Sequence, residues 1–277
     1  MQYIDIYGGL GNQMFQYAFY LSKANKGCKV LPDISLFRSD KNHTMHNGFE
    51  LTNIFNLTPS VEFHSSVFSQ TFIRVALKFK FGFLIGGDNV ALGFQEQLMN
   101  SRKYHLHGYW QSDKYFQGVA DKVRSEFVFK GIDQNNLAIA KEMKSSKEYT
   151  SVSLHVRRGD YIKYNMHLLG RDYYEKAIEY IKSKVDRPKF YIFSDDMDAA
   201  IDIINKFDVA YNPITINSGA DSYKDMFLMS QCRHNIIANS SFSWWGAWLN
   251  GNPEKIVVAP LWGKDFICEE WITINAE

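Results

Sequence analysis

The stretch TSVSLHVRRGDYIKYNMHLLGRDYYEKAIEYIKSKV, residues 150–185, decides the fold. TSVSLHV is a short, largely apolar run that reads as a buried β-strand, and RDYYEKAIEYIKSKV places its apolar residues at helical spacing. The loop RRGDYIKYNMHLLG joins them. The same alternation continues toward the C-terminus. Strands are expected at KFYIFS (189–194), near PITIN (213–217), at HNIIAN (234–239) and at KIVVAP (255–260); helices are expected at AAIDIINKF (199–207), SYKDMFLMSQCR (222–233) and SFSWWGAWL (241–249). Strands that alternate with helices predict a parallel α/β sheet covered on both faces.

Working back to the N-terminus, QYIDIY (2–7), GGLGNQ (8–13), MFQYAFYLSKANKG (14–27) and CKVLPD (28–33) read as strand, turn, helix and strand. Gly27 sits where a helix C-terminal glycine belongs, and Pro32 with Asp33 marks the end of the second strand. Residues 34–100 show only short periodic pieces. Within them FIRVALKFKFGFLIGG (72–87) mixes Phe, Leu and Ile with Arg74, Lys78 and Lys80. Two readings stay open there: a peripheral membrane contact, and a half-buried helix whose cations face water, which the spacing favours. KYHLHGYW (103–110) reads as a strand, with helices following near 112–126 and 135–146. The polar stretch KSSKEYT then marks a boundary, which gives two Rossmann-like domains, 1–148 and 149–277, facing a cleft in a GT-B-like α/β architecture.

The chain has 277 residues, with 31 basic against 30 acidic side chains and a formal net charge of +1. It has no basic domain to neutralise a nucleic-acid backbone, so no nucleic-acid partner is expected. The three cysteines, Cys28, Cys232 and Cys268, are far apart and form no C-x-x-C pair, which points away from a disulfide framework or zinc cluster and toward a reducing compartment. No secretory signal and no apolar run long enough to span a bilayer is visible, so a cytoplasmic protein is expected. Aromatic residues make up 16% of the chain and serve cores and sugar sites equally well.

Four segments carry chemistry, and three of them lie at strand ends in the second half. In GGLGNQ, glycines between strand and helix let the backbone approach a ligand, and Gly11, Asn12 and Gln13 are the candidates for its contacts. Asp33 then stands about where a ribose-binding acid would lie in a dinucleotide enzyme, and a plain tight turn is the other reading. In HVRRGDY (155–161), Arg157 and Arg158 leave a buried strand together, an arrangement suited to paired hydrogen bonds with diphosphate oxygens, and Asp160 is placed to steady one of them. In NSSFSWWG (239–246), a single serine is explained as a helix cap. Ser240, Ser241 and Ser243 together with open N–H groups form an anion cradle, and Phe242, Trp244 and Trp245 either line a sugar pocket or pack the helix. In FSDDMD (193–198), Ser194, Asp195 and Asp196 could bind a metal, contact a ribose or base, or cap the next helix; contact or capping is favoured, because the arginines can neutralise a diphosphate without a cation. Asp225 on SYKDMFLMS reads as a surface acid or a ligand contact.

In combination, GGLGNQMFQYA (8–18), HVRRGDY (155–161), FSDD (193–196) and NSSFSWWGAWL (239–249) resemble the α-1,2-fucosyltransferase family, glycosyltransferase family 11, over nearly the whole chain. The resemblance implies an inverting transfer of L-fucose from GDP-β-L-fucose to the 2-hydroxyl of a terminal galactoside on a glycan acceptor. It also implies a GT-B-like fold and no metal or other cofactor. It assigns Arg157 to the β-phosphate and the leaving group, His155 and Asp225 to the guanine, Ser240, Ser241 and Phe242 to the diphosphate and fucose, and Asn12 to the vicinity of the reacting centre. Arg158 and Asp160 are implied to buttress the loop. Asp160 and His155 are the candidates for the base, and acceptor choice is assigned to 34–100. A nucleotide-sugar transferase with another donor, a nicotinamide dehydrogenase and a non-catalytic carbohydrate-binding protein are the rival readings.

Overall fold

A computed structural model describes residues 1–39, 47–79, 85–87, 93–163, 165–263 and 265–275. The side chains of Ser39, Ile85, Gly86, Asp160 and Lys163 lie outside the described set. The chain divides into two compact units, Met1–Gly131 with Gly263–Cys268, and Ile132–Trp262 with Glu269–Glu277.

The first unit is built on a four-stranded sheet of β1 (Gln2–Asp5), β2 (Val30–Asp33), β3 (Ile85–Gly86) and β4 (His105–Leu106), in the order β2-β1-β4-β3. All of its pairings are parallel. The turn after β1 needs glycine at Gly8, whose φ of 78° is a left-handed conformation that side chains resist. Gly9 then caps the helix Leu10–Asn25, which buries Met14, Phe15, Ala18 and Phe19 and returns the chain to β2. The segment expected as one helix near 112–126 is broken into 3₁₀ turns at Asp113–Tyr115 and Gln117–Val119 ahead of a helix Ala120–Glu126, with Phe116 between the two turns. In FIRVALKFKFGFLIGG, the helix Val67–Lys78 ends at Phe79, Ile85–Gly86 is strand, and residues 80–84 lie outside the described set.

The second unit holds β5 (Thr150–Val156), β6 (Pro188–Ser194), β7 (Ala210–Pro213), β8 (His234–Ile236), β9 (Val257–Pro260) and β10 (Ile272–Ile274) in one six-stranded sheet of order β10-β9-β8-β5-β6-β7. Every pairing is parallel. Successive side chains on a strand point to opposite faces, so Val152, Leu154 and Val156 enter one core with Ile178, Ile192 and Ile236. Tyr191 and Phe193 enter another with Leu228, Met229, Ala140 and Met143. His155 projects on that second side, paired in register with Phe193.

Two expectations shift. The strand near PITIN forms instead at Ala210–Pro213, an edge strand whose ladder ends with the Ile214 N–H donating to the Ile192 carbonyl at 2.9 Å. The division between the units falls at 131/132, ahead of the expected 148/149, because Ala140 and Met143 of the helix Gln134–Ser145 pack into the second core.

Candidate functional site

The strand order of the second sheet reverses at β5: β6 and β7 extend to one side, and β8, β9 and β10 to the other. Parallel sheets open a crevice beyond their carboxyl ends where this happens. HVRRGDY leaves the end of β5, NSSFSWWG follows β8, and SDD leaves β6, so the three motifs meet on neighbouring strands at one edge of the sheet.

Arg157 Nη1 lies 3.1 Å from Asp195 Oδ2, and Arg158 Nε lies 3.2 Å from Asp196 Oδ2. All four side chains are partly exposed, so both cations remain within reach of a ligand. Asp195 also accepts the Arg158 N–H at 2.8 Å. Burial alone would raise its carboxyl, but the Arg157 charge and the N–H groups of Arg158 and Gly159 bring it below the usual range. Gly159 sits close to this carboxylate: a methyl group there would stand 3.1 Å from Asp195 Oδ2, which would have to shift slightly. Asp196 caps the helix Met197–Ile204 by accepting the Ala199 N–H at 3.2 Å. Asp195 and Asp196 are thus paired with the arginines, a role not foreseen for FSDD, and Asp196 also caps a helix, one of the roles that were. The arginine partners come from Asp195 and Asp196; the side chain of Asp160, expected in that role and as a base, lies outside the described set.

His155 is 4% exposed, and its Nδ1 has no hydrogen-bond partner. Burial and the neighbouring Arg157 lower its pKa to about 3 against the opposing pull of Asp195, so the ring is neutral at physiological pH. Its ring centroid lies 6.1 Å from that of half-buried Phe242. Two tyrosines that sequence reasoning passed over fix the surrounding loops. The Tyr161 hydroxyl donates to the Asn239 carbonyl at 2.7 Å, and that of Tyr173 donates to the Ile237 carbonyl at 2.6 Å, joining the β5 side to the β8 exit. Asn239 Nδ2 donates to the His167 carbonyl, while its Oδ1 is buried and unpartnered.

The serine cradle is smaller than expected. Ser240 caps the helix Ser241–Leu249 by accepting the Phe242 N–H, and Ser243 accepts the Ala238 N–H and donates to the Ser240 carbonyl. Two serines therefore hold the strand-to-helix corner, which leaves Ser241 and the helix N-terminus for a ligand. Trp244 and Trp245 pack the helix: both are fully buried and stack among Trp248 and Trp271. Ser194 likewise ties strand ends, donating to the Val156 carbonyl at 2.8 Å.

Asp225 lies on the helix Tyr223–Gln231, which packs on Ser241–Leu249 so closely that a methyl at Gly246 would fall 2.9 Å from Met229 Cβ. Its carboxyl is half-buried, and burial raises it to about 7 despite a 2.7 Å hydrogen bond from Asn217 Nδ2. Asn217 is paired amide to amide with Asn136, which leans on Asp133, the cap of the helix Gln134–Ser145, and Lys224 closes the chain on Asp133 at 3.0 Å. Asn136 and Asp133 belong to an element remote from Asp225 in sequence, too far for any motif to reveal them.

In the first unit, Asn12 Oδ1 accepts from Gln111 Nε2 at 2.8 Å and remains half-buried. Gln13, expected at the donor, is instead fully buried: its amide donates to the Gly8 and Gly48 carbonyls and accepts the Glu50 N–H. Gly11 is buried within the same helix start. Asp33 is fully buried, accepting the Ser35 N–H, and cannot reach a ribose. Asp5, Asp33 and His105 are the one group among the described residues with three metal-ligand types close together, within 4.8 Å. Asp5 there already accepts from His105 and His107, a buried hydrogen-bonded network.

The family model of glycosyl transferase family 11 matches residues 1–273. An α-1,2-colitosyltransferase of Escherichia coli is 34% identical, over 91% of this chain and 89% of its own length. The O-antigen biosynthesis glycosyltransferase WbnK of Escherichia coli is 35% identical, over 93% of each. The bovine galactoside α-(1,2)-fucosyltransferase 2 is 26% identical, over 92% of this chain and 70% of its own. Among solved structures, the fucosyltransferase NodZ from Bradyrhizobium superposes with a TM-score of 0.53 at 14% identity, over 88% of this chain and 90% of its own, and shares the GT-B-like fold. Among the described residues, no helix is long and apolar enough to cross a membrane.

Proposed function

The chain belongs to glycosyl transferase family 11, and from that membership we infer that it transfers L-fucose from GDP-β-L-fucose to the 2-hydroxyl of a terminal galactoside with inversion at the anomeric carbon. The observation that carries this reading is the meeting of Arg157, Arg158 and the Ser241 helix start at the β5/β8 reversal, a cationic, N–H-rich edge suited to a diphosphate. The names of its relatives support the sugar and the linkage, and a solved NodZ structure co-crystallized with GDP supports the nucleotide.

The attacking hydroxyl approaches the anomeric carbon from the face opposite GDP as the glycosidic oxygen leaves with the β-phosphate. Negative charge grows on that phosphate in the transition state. Arg157 meets it there, where a fixed cation lowers the barrier more than it tightens ground-state binding. Arg158 and the N–H groups at Ser241 share the charge, so this reading needs no metal ion; Asp195 and Asp196 act on the arginines. Asp225, when ionised, accepts from the ring N–H and amino group of guanine, and neutral His155 offers its buried, unpartnered Nδ1 to the same base. With a pKa near 3, His155 is a poor proton acceptor and serves in binding rather than as the base. Asn12 is assigned to the reacting centre and the cytoplasm to the enzyme, where nucleotide sugars are at hand.

The colitosyltransferase relative makes a second donor sugar the alternative to test. Purified protein incubated with GDP-fucose, GDP-colitose and other nucleotide sugars, each with a panel of galactosides and followed by linkage analysis, decides. An α-1,2-fucosyl product is expected. Transfer from GDP-colitose alone would replace the donor, and transfer from no GDP-sugar would overturn the reading.

A further inference from the structure

The two anion-binding elements of the second unit stand on strands that part company. The β5–β8 pairing ends at Leu154 and Ile236, whereas β5 stays with β6 through Val156 and Ser194. On the far side the Ile237 N–H donates to the Val258 carbonyl of β9 at 2.9 Å. The sheet therefore opens at the strand reversal, with HVRRGDY on one lip and NSSFSWWG on the other. Such an opening admits a ligand. It also leaves Arg157 and the Ser241 helix start without a shared ladder to fix their separation.

Tyr161 crosses this gap. It stands in the short helix Gly159–Lys163, where the Ile162 N–H donates to the Arg158 carbonyl and the Met166 N–H to that of Tyr161, both at 2.8 Å. Tyr161 is 8% exposed, and its ring centroid lies 5.8 Å from Arg157 Cζ, within reach of a cation over an aromatic face. At the other end of the ring the hydroxyl donates to the Asn239 carbonyl at 2.7 Å. Asn239 precedes Ser240, the cap of the helix Ser241–Leu249, and its own amide donates to the His167 carbonyl at 2.9 Å. One side chain thus meets the guanidinium with its ring and the approach to the helix with its hydroxyl.

We propose that Tyr161 is the positioning residue for Arg157, holding the guanidinium at the separation from the Ser241 helix start that a diphosphate spans. The proposal rests on the reading of this edge as a GDP-sugar site. An arginine side chain loses much rotamer freedom when it is fixed, and the ring of Tyr161 with Asp195 at 3.1 Å takes that loss before a ligand arrives. The cation then stands ready where charge grows, a place at which small displacements are costly. Asp195 cannot set this separation by itself, because it follows β6 on the same lip as Arg157. The ladder and the Tyr173 hydroxyl, which donates to the Ile237 carbonyl, already keep β5 beside β8, so the Tyr161 tether acts further out, at the motifs themselves.

The test is isothermal titration of the full chain with GDP and with GMP, which lacks the β-phosphate, beside turnover with GDP-sugars. Tyr161→Phe keeps the ring and removes the tether. A neutral hydrogen bond is worth roughly two- to tenfold, so GDP binding should weaken by about threefold and turnover fall by about tenfold, the larger effect falling where charge grows. GMP affinity should stay within about twofold of the parent's, which also shows that the variant is folded. Tyr161→Leu, which removes the ring as well, should lose more GDP affinity and turnover, with GMP again the control. In an Arg157→Ala background Tyr161→Phe should add less than about twofold, since a residue that acts through the guanidinium has nothing left to act on. Parent-like GDP binding and turnover in Tyr161→Phe, equal weakening of GMP and GDP, or losses that multiply in the double variant would overturn the proposal. So would a parent that binds GMP as tightly as GDP. Transfer from no GDP-sugar, with a Tyr161-dependent preference for GDP intact, would instead strike the transferase reading and leave the positioning role standing.

Discussion

Replacing Asp225 with Asn tests whether the donor nucleotide is held by an acid that must first give up its proton. The carboxyl titrates at about 7 because burial outweighs the single hydrogen bond from Asn217. Guanine presents N–H donors, which only the carboxylate accepts on both oxygens, so GDP binding should expel a proton from the fraction still protonated. With a pKa near 7, about one carboxyl in eleven is ionised at pH 6 and about ten in eleven at pH 8, so GDP affinity should rise about tenfold across that interval and then level off. The sign for folding is opposite. A carboxyl raised from 3.8 leaves the empty protein progressively less stable as pH climbs from 3.8 through 7, and bound nucleotide should offset that loss. Isothermal titration in buffers of different ionisation enthalpy reads both affinity and proton release. Asp225→Asn should bind about ten- to a hundredfold more weakly at pH 8, the worth of one hydrogen bond to a charged group, and at pH 6, where the parent expels a proton, should release none beyond the nucleotide's own. Identical pH profiles for the parent and Asp225→Asn would refute the assignment of this acid to the base.

Arg157→Ala should lower turnover by at least about a hundredfold while the melting profile stays close to the parent's, and near-normal turnover would remove Arg157 from the mechanism. Gly246→Ala should cost about 1–3 kcal/mol of stability, measured by denaturant unfolding, because the added methyl meets Met229 Cβ rather than a flexible side-chain end. Transfer should persist in EDTA at its full rate; strong metal dependence would return Asp195 and Asp196 to the role of ligands.

Sequence reading places the candidate motifs at strand ends far better than it explains how they are held there. The end of β5 is legible because a buried strand, two arginines and a glycine are adjacent in the chain, and local chemistry is what a sequence displays. The acids that hold those arginines, Asp195 and Asp196, follow β6, and which of them meets which arginine depends on strand register, which no single segment encodes. The same holds for Asp225, whose orientation rests on nearby Asn217 and, through it, on Asn136 and Asp133 from an element remote in sequence. Trp244 and Trp245 mislead for another reason: aromatic rings suit sugars and cores alike, and only their complete burial separates the two. β10 carries too short an apolar run to be read at all.

If Arg157 meets the leaving phosphate as proposed, its pairing with Asp195 also bears on how a cycle ends. A bare guanidinium would cling to its leaving group after the bond had broken, and slow departure of the nucleotide would then govern the rate. Here the acid stands 3.1 Å away, ready to take the cation back as the diphosphate withdraws. The vacated site is electrically settled at once, and the same side chain that speeds bond cleavage need not delay the next round.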